Sequence, residues 1–345
     1  MENRDLLEKY LIDILNIPSP TGYTYEMIKY LKEQFDNMNI DYKVSNKGIL
    51  LATIQGINRD YDITFSSHID TLGAIVKDIK ENGRIAINQI GGYMMHSVEG
   101  ECVMIHCRDG NKIEGTLQTI KPSIHIYENE AIELPRECKN YEIILDEEVF
   151  SKEDVVKLGI DVGDIVSFDT RTKITKSGFI KSRYLDDKSA VASILYIINY
   201  INSKKIIPRC NINFMFSNYE EVGHGASTFI PNNTKEFIAV DMGCPGEGQN
   251  STEYDVCIAC KDSNGPYDYS LLNDLINVCK SNNINYKLDI YPNYGSDATA
   301  ALKSGLDARF ALIGPGIFAS HGYERTHIKS INETIKLIIK YITKE

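Results

Sequence analysis

The feature that most constrains this chain is an interruption. Helical and strand-like periodicities alternate from both ends, but between Ala74 and about Lys176 the alternation gives way to short β-type runs separated by Gly, Asn and Asp turns. Leu6, Leu7, Tyr10, Leu11, Ile14 and Leu15 share one helical face, and Pro18-Ser-Pro-Thr-Gly22 ends that helix. A second helix turns Met27, Ile28, Leu31, Phe35 and Met38 inward, and strands over 42–55 and 61–67 follow. Alternation resumes from Arg183, with a helix over 187–201, strands over 211–217 and 237–241, and a helix over 269–279. Strands over 286–291 and 308–313 and a closing helix from Ile331 complete it. The simplest architecture is an α/β sandwich domain built from 1–73 and 176–345, with a small β-rich, barrel-like or PDZ-like domain over 74–175 inserted in it. One helix is expected in the insert, opened by the capping pattern Ser151-Lys-Glu-Asp154.

Composition narrows the function classes. The 345 residues carry a net charge of -11 and no dense basic stretch, which argues against nucleic acid or an anionic membrane as partner. No apolar run reaches the ~18 residues of a spanning helix, and the polar start lacks a signal-peptide pattern, so the expected compartment is the cytoplasm. Eight scattered cysteines suit a reducing compartment. Cys257-Ile-Ala-Cys260 lies in an alternating run that sends its two thiols to opposite faces, so it reads as structure and not as a metal or redox pair.

Five acidic or histidine clusters fall where strands of the α/β part end, the place at which such sheets build their sites. They are His68-Ile-Asp70, Asp186-Asp187-Lys188, Glu220-Glu221-Val-Gly223, Asp241-Met-Gly243 and Ser320-His321-Gly-Tyr-Glu324. Taken singly, each has a plainer explanation: strand-end polar residues, acidic helix caps, a solvated loop or a turn. Gathered in one pocket, they offer two imidazoles and several carboxylates, a mixture that suits zinc, cobalt or manganese. Residues i and i+2 of a strand share a face, so Asp70 is expected to reach His68 and fix its tautomer. Two adjacent carboxylates such as Glu220 and Glu221 can divide labour, one binding metal while the other moves a proton.

In their order along nearly the whole chain these motifs resemble the M42 metallopeptidases, the family of glutamyl and tetrahedral aminopeptidases. Within it, His-x-Asp followed by Gly, Asp-Asp-Lys/Arg, Glu-Glu-x-Gly, a single Asp and a late His recur. They are matched here by His68-Ile-Asp70-Thr-Leu-Gly73, Asp186-Asp187-Lys188, Glu220-Glu221-Val-Gly223, Asp241 and His321. Ile90-Gly-Gly92 and Val162-Gly-Asp-Ile-Val166 look like the family's inserted dimerisation domain, and Gly295-Ser-Asp-Ala298 resembles its Gly-Thr-Asp-Ala loop. Val98-Glu-Gly-Glu-Cys-Val103 departs from the family's Pro-Gly-Gln-Arg-Val segment.

The resemblance implies an aminopeptidase with two divalent ions per subunit, zinc, cobalt or manganese. Asp186 would bridge them, His68 and Asp241 would complete one site, and Glu221 and His321 the other. Glu220 would be the general base, Asp70 would support His68, and Ser296 and Asp297 would contact substrate. His321 is preferred to His327 as the last ligand because Ser-His-x-x-Glu fits the family segment. His96, His106 and His125 in the insert are read as ordinary. Short peptides would be the substrates, and dimers assembling into a dodecamer the quaternary form. A related motif set serves binuclear deacylases and carboxypeptidase-like amidohydrolases, which is the alternative reading. A paired-carboxylate glycosidase fits poorly, since its two carboxylates lie ~5 Å apart across the bond, and a metal-stabilised scaffold would show no turnover.

Overall fold

The computed structural model describes residues 4–343. The chain divides into two units, one from the described parts of Met1–Asp70 and Arg171–Glu345, the other Thr71–Thr170.

The larger unit is built on an eight-stranded sheet. Its spatial order is Tyr42–Val44, Leu50–Ile54, Cys210–Ser217, Asn58–His68, Thr234–Val240, Arg309–Pro315, Val256–Lys261 and Tyr286–Ile290. The four strands from Cys210–Ser217 to Arg309–Pro315 run parallel, with Ser217 beside His68 and Val240 beside Ile313. These strands read as continuous apolar runs because both faces are covered: Phe214, Met215 and Phe216 are fully buried, as are Phe237 to Val240 and Ala311 to Ile313.

Helix Leu185–Lys204 lies under the sheet and is buried on every side through Ile198. It packs on helix Arg4–Leu15, on the closing helix Ile328–Ile342 and on strand Asn58–His68. Among the described residues, no helix is long and apolar enough to cross a membrane.

Three differences from the sequence reading bear on the site. The expected strand over 42–55 is two strands, because Ser45 to Ile49 turns, with Ile49 N–H donating to Ser45 Oγ. A short helix, Asp297–Lys303, follows Gly295, opened by a capping box in which Ser296 and Thr299 serve each other's backbone. Lys173–Ile174, Phe179–Ser182 and Glu324–His327 form a separate antiparallel sheet that pairs Ser182 with Glu324. Short strands carry too little periodicity to stand out in the sequence.

The smaller unit is a closed antiparallel barrel. Gly73–Ile79, Ile85–Ile90, Tyr141–Leu145, Lys112–Thr119, Cys102–His106 and Ile165–Phe168 follow one another around it, and the last pairs back onto the first through Ala74 and Val166. Alternate residues point inward, Val76, Ile85, Ile87, Val103, Ile105, Leu117 and Ile143 among them. Ser151 caps helix Lys152–Lys157 by accepting from Asp154 N–H. His106 is buried, with its Nε2 2.8 Å from Ser167 Oγ.

Candidate metal centre

The parallel strands deliver their polar residues to one end. His68 is the last residue of Asn58–His68, Asp241 follows Val240, and Glu220 and Glu221 follow Ser217 after two residues, Asn218 and Tyr219. Asp186 sits at the start of the buried helix, with non-helical backbone, and is joined to Asp187 by a cis peptide bond. Asp186, Glu220, Glu221, Asp241 and His321 line one pocket of about 260 Å³.

Asp186 is its centre. Its Oδ1 lies 3.2 Å from His68 Nε2 and its Oδ2 3.4 Å from His321 Nε2, so each oxygen faces one imidazole. His321 Nε2 is also 3.4 Å from Glu221 Oε2, and His68 Nε2 is 3.8 Å from Glu220 Oε2. Burial alone would push the Asp186 carboxyl up, yet the imidazoles of His321 and His68 hold it below the ordinary range. Burial opposes a charge on His68, but Asp186, Glu220, Asp187 and Asp241 together raise its pKa well above the usual value.

The other carboxylates move the opposite way. Burial first, then the charge of Asp186, pushes Glu221 up to about 8 and Asp241 up to about 7. Burial raises Asp187 and Glu220 well above the carboxylate range, with Asp241 adding to it in each. A group of this kind cannot all ionise without a cation. Glu221 Oε1 and Asp187 Oδ1 are moreover buried without a hydrogen-bond partner. One nitrogen of His68 and single oxygens of Asp187 and Asp241 lie within 4.8 Å of one another, spacing that one ion can bridge. The residues fit divalent metal.

Taken alone, the Asp186-Asp187 pair suits a helix cap, and the motif it matches leaves Asp187 without a stated role. Asp187 faces the site instead: Oδ2 accepts the His68 N–H at 3.1 Å. Asp70 also differs from expectation. His68 Nδ1 lies 2.9 Å from the backbone carbonyl of Asp70, while the nearest Asp70 carboxylate oxygen is 3.8 Å away. The carboxylate turns under the next loop, where Oδ1 accepts the Glu220 N–H at 3.1 Å and Oδ2 accepts the Glu221 N–H at 3.3 Å and the Thr21 hydroxyl at 2.7 Å. The strand ends at His68, so the shared-face rule does not extend to Asp70, whose carbonyl meets the imidazole while its side chain serves the loop.

Asp297, expected to contact substrate, is buried and points away from the pocket. Its Oδ2 accepts the hydroxyls of Ser66 and Ser217, and its Oδ1 accepts the Ala226 N–H at 2.8 Å. Gly225 is required there, since a Cβ would lie 2.1 Å from Asp297 Oδ1. Ser296 does line the pocket, with its hydroxyl 2.9 Å from Tyr267 Oη. His327 is held elsewhere: Nε2 meets the Ser177 carbonyl at 2.8 Å, and Nδ1 accepts the Lys329 N–H at the start of the closing helix. His321 is the histidine in the pocket. Tyr294 and Lys303, which no sequence motif singled out, complete the wall.

With this geometry in view, comparison with known proteins is decisive. The family model described as M42 glutamyl aminopeptidase matches residues 48–337. The chain belongs to the M42 peptidase family. It is 46% identical over 330 residues to YhfE of Bacillus subtilis strain 168, whose designation as an aminopeptidase is provisional, covering 96% of this chain and 95% of that one. Solved peptidase structures share the fold. The TET aminopeptidase of the marine sediment archaeon Thaumarchaeota archaeon SCGC AB-539-E09 superposes with a TM-score of 0.89 at 19% identity, covering 99% of this chain and 97% of that one. The TET1 peptidase of Pyrococcus horikoshii, solved as a protein able to assemble into a tetrahedron or a large octahedral shell, gives 0.86 at 19%, covering 98% and 100%. This M42 peptidase is therefore a hydrolase of peptide bonds with the α/β sandwich and inserted barrel of its fold relatives.

The raised carboxylates carry a pH signature. Glu221 and Asp241 bind protons up to about pH 8 and 7 when folded, against ordinary values of 4.5 and 3.8. The folded state therefore holds more protons than the unfolded one, and the stability this gives is present below about pH 4 and lost as pH rises through 7 and 8. His68 acts in the same direction. In urea unfolding, chelated protein should show a lower midpoint at pH 8.5 than at pH 5.5, and added divalent metal should restore more at pH 8.5. Equal midpoints for the chelated protein would remove the excess negative charge from the account.

Proposed function

We propose that this chain is a two-metal aminopeptidase that trims N-terminal residues from short peptides in the cytoplasm. The observation that carries the reading is the placement of Asp186, one carboxylate oxygen toward each of two imidazoles. His68 and Asp241 would hold one ion and Glu221 and His321 the other, with Asp186 between them and Asp187 close to the first. Zinc, cobalt and manganese all suit two imidazoles and three carboxylates. Such ions supply Lewis acidity, polarising the scissile carbonyl and easing loss of a proton from water.

Glu220 is the group free to move that proton. Its side chain keeps 16% of its surface exposed at the pocket edge, and burial, with Asp241 and Glu221 close by, raises its affinity for a proton. Asp70 holds its backbone, so the carboxylate stays aimed at the pocket. Glu220 takes the proton from the attacking water and then gives it to the departing amine nitrogen, which leaves as a neutral amine. Glu220→Gln should bind metal as the wild type does and lose turnover by about 10²-fold or more. Near-normal turnover in that variant would take Glu220 out of the role.

The lining of the pocket suggests which residue is removed. Lys303 lines it with Asn264, Asn293, Ser296 and Thr299, and makes no ion pair among the described residues. It is the one lysine or arginine among the lining residues. An N-terminal Glu or Asp would place its α-amine at the carboxylate end and its side chain toward Lys303. A panel of glutamyl, leucyl and lysyl arylamides, free and N-acetylated, tests both claims. Metal-dependent cleavage of the free glutamyl substrate should dominate, and Lys303→Glu should raise its KM while sparing the leucyl one. Cleavage of the acetylated set would mark a deacylase instead.

The same reading extends to assembly. Its support is the tetrahedral assembly of the Pyrococcus horikoshii TET1 peptidase, which shares the fold. Dimers joining into a dodecamer, with the inserted barrel joining subunits, would enclose a chamber that admits short or unfolded peptides. Light scattering should give about twelve times the 38.9 kDa chain mass; a monomer would refute the assembly.

A further inference from the structure

Glu324 does not line the pocket, yet it touches the backbone of two residues that do. Its side chain is buried, with 2% of the residue exposed. Oε2 accepts the Asp186 N–H at 3.1 Å and Oε1 accepts the His321 N–H at 3.0 Å. Asp186 and His321 are 135 positions apart in the chain, and the two oxygens of one rigid carboxylate hold their peptide groups side by side. The sheet supports this clamp, because Glu324 opens strand Glu324–His327 opposite Ser182, the residue from which the chain runs on through Arg183 and Tyr184 toward Asp186. The clamped backbone is also strained: Tyr184 and His321 have φ of 65° and 61°, in the left-handed region that non-glycine residues avoid. Something must hold them there, and Glu324 bonds directly to one of the two and to the second residue beyond the other.

We infer that Glu324 is a positioning residue that sets the spacing of Asp186 and His321, and through it the occupancy of the metal position that these two share with Glu221. The inference rests on the ligand assignment proposed above. Its selectivity follows from what holds the other side. His68 is fixed by Asp187 Oδ2 at its N–H and by the Asp70 carbonyl at Nδ1, and Asp241 by its N–H to the Ile313 carbonyl. None of these bonds passes through Glu324, so its loss reaches the His68–Asp241 position through Asp186 alone, whereas it loosens both Asp186 and His321 at the other, which should weaken far more. A glutamine at 324 has the same shape but a single acceptor oxygen, and its amide N–H₂ would face one of the two peptide N–H groups.

The test is a titration of the chelated whole protein with Co²⁺, followed by calorimetry and by visible absorption. The wild type should bind two ions in resolvable steps. Glu324→Gln should keep one step close to the wild-type affinity and weaken the other by about 10- to 100-fold, the usual cost of removing an outer hydrogen-bond partner. Its metal-free melting temperature should stay near that of the wild type, and high Co²⁺ should rescue turnover. Wild-type affinity in both steps would overturn the inference. So would equal weakening of both steps, which marks a residue of general structural use. If Glu324→Gln does not fold, Glu324→Asp, which withdraws both oxygens by one methylene, goes through the same titration with the same selective loss expected and the same overturning results. A wild type that binds no pair of ions would instead refute the ligand assignment itself.

Discussion

The structure depends on holding many carboxylates together, out of water, at one end of a parallel sheet. Asp186, Asp187, Asp241 and Glu221 are each nearly or wholly buried, and Glu220 sits at their edge. Like charges this close repel strongly in a medium of low polarity. The fold offsets this in two ways. The imidazoles of His68 and His321 flank Asp186, and the surrounding backbone is fixed so firmly that the carboxylates cannot swing out to solvent.

That firmness comes from a second set of buried carboxylates. Asp70 holds the Glu220–Glu221 turn from below by two N–H bonds, Asp297 joins Ser66, Ser217 and Ala226, and Glu324 joins Asp186 and His321. Lys47 adds a bond from the other side, donating to the carbonyls of His224 and Gly225. The loops so held include Tyr184, Tyr219, Ala319 and His321, all at positive φ. Each such residue costs on the order of 1 kcal/mol, so the turns would relax without their anchors. Strain and anchoring together fix the directions in which these carboxylates and imidazoles face the pocket.

Much of this was legible in the sequence, for identifiable reasons. The buried helix Leu185–Lys204 and the parallel strands announce themselves through long apolar runs, and the barrel through short alternating ones. His68, Asp186, Glu220, Glu221 and Asp241 stand out because each lies at or near the end of such a run, and His321 because Ser-His-x-x-Glu resembles the family segment. The third dimension was not legible. That Asp70 would turn its carboxylate to Glu220 while its carbonyl met His68 depends on pleat and loop path, which spacing does not encode. Asp297 looked like a substrate contact because Gly295-Ser-Asp-Ala298 resembles the family's Gly-Thr-Asp-Ala loop; its burial rests on Gly225, 72 positions earlier, lacking a Cβ. Lys303 lies on a helix of seven residues, too short to read from periodicity.

Glu221 and Asp187 differ from the anchoring carboxylates in one physical respect, and it accounts for part of the limit of sequence reading at the site. Asp70, Asp297 and Glu324 have both oxygens occupied by N–H or O–H donors of the protein. Glu221 and Asp187 each keep a buried oxygen with no donor at all. A satisfied carboxylate has nothing left to offer an ion, whereas an unsatisfied one in a buried place needs a cation or a proton. The chain thus uses one chemical group in both settings, and for Asp187 and Glu221 it is the lack of a nearby donor that separates them from the anchors. The anchors' donors come from Thr21, Ser66, Ser217, Ala226 and the peptide groups of the loops themselves, positions that carry no signature of their own until the chain has folded.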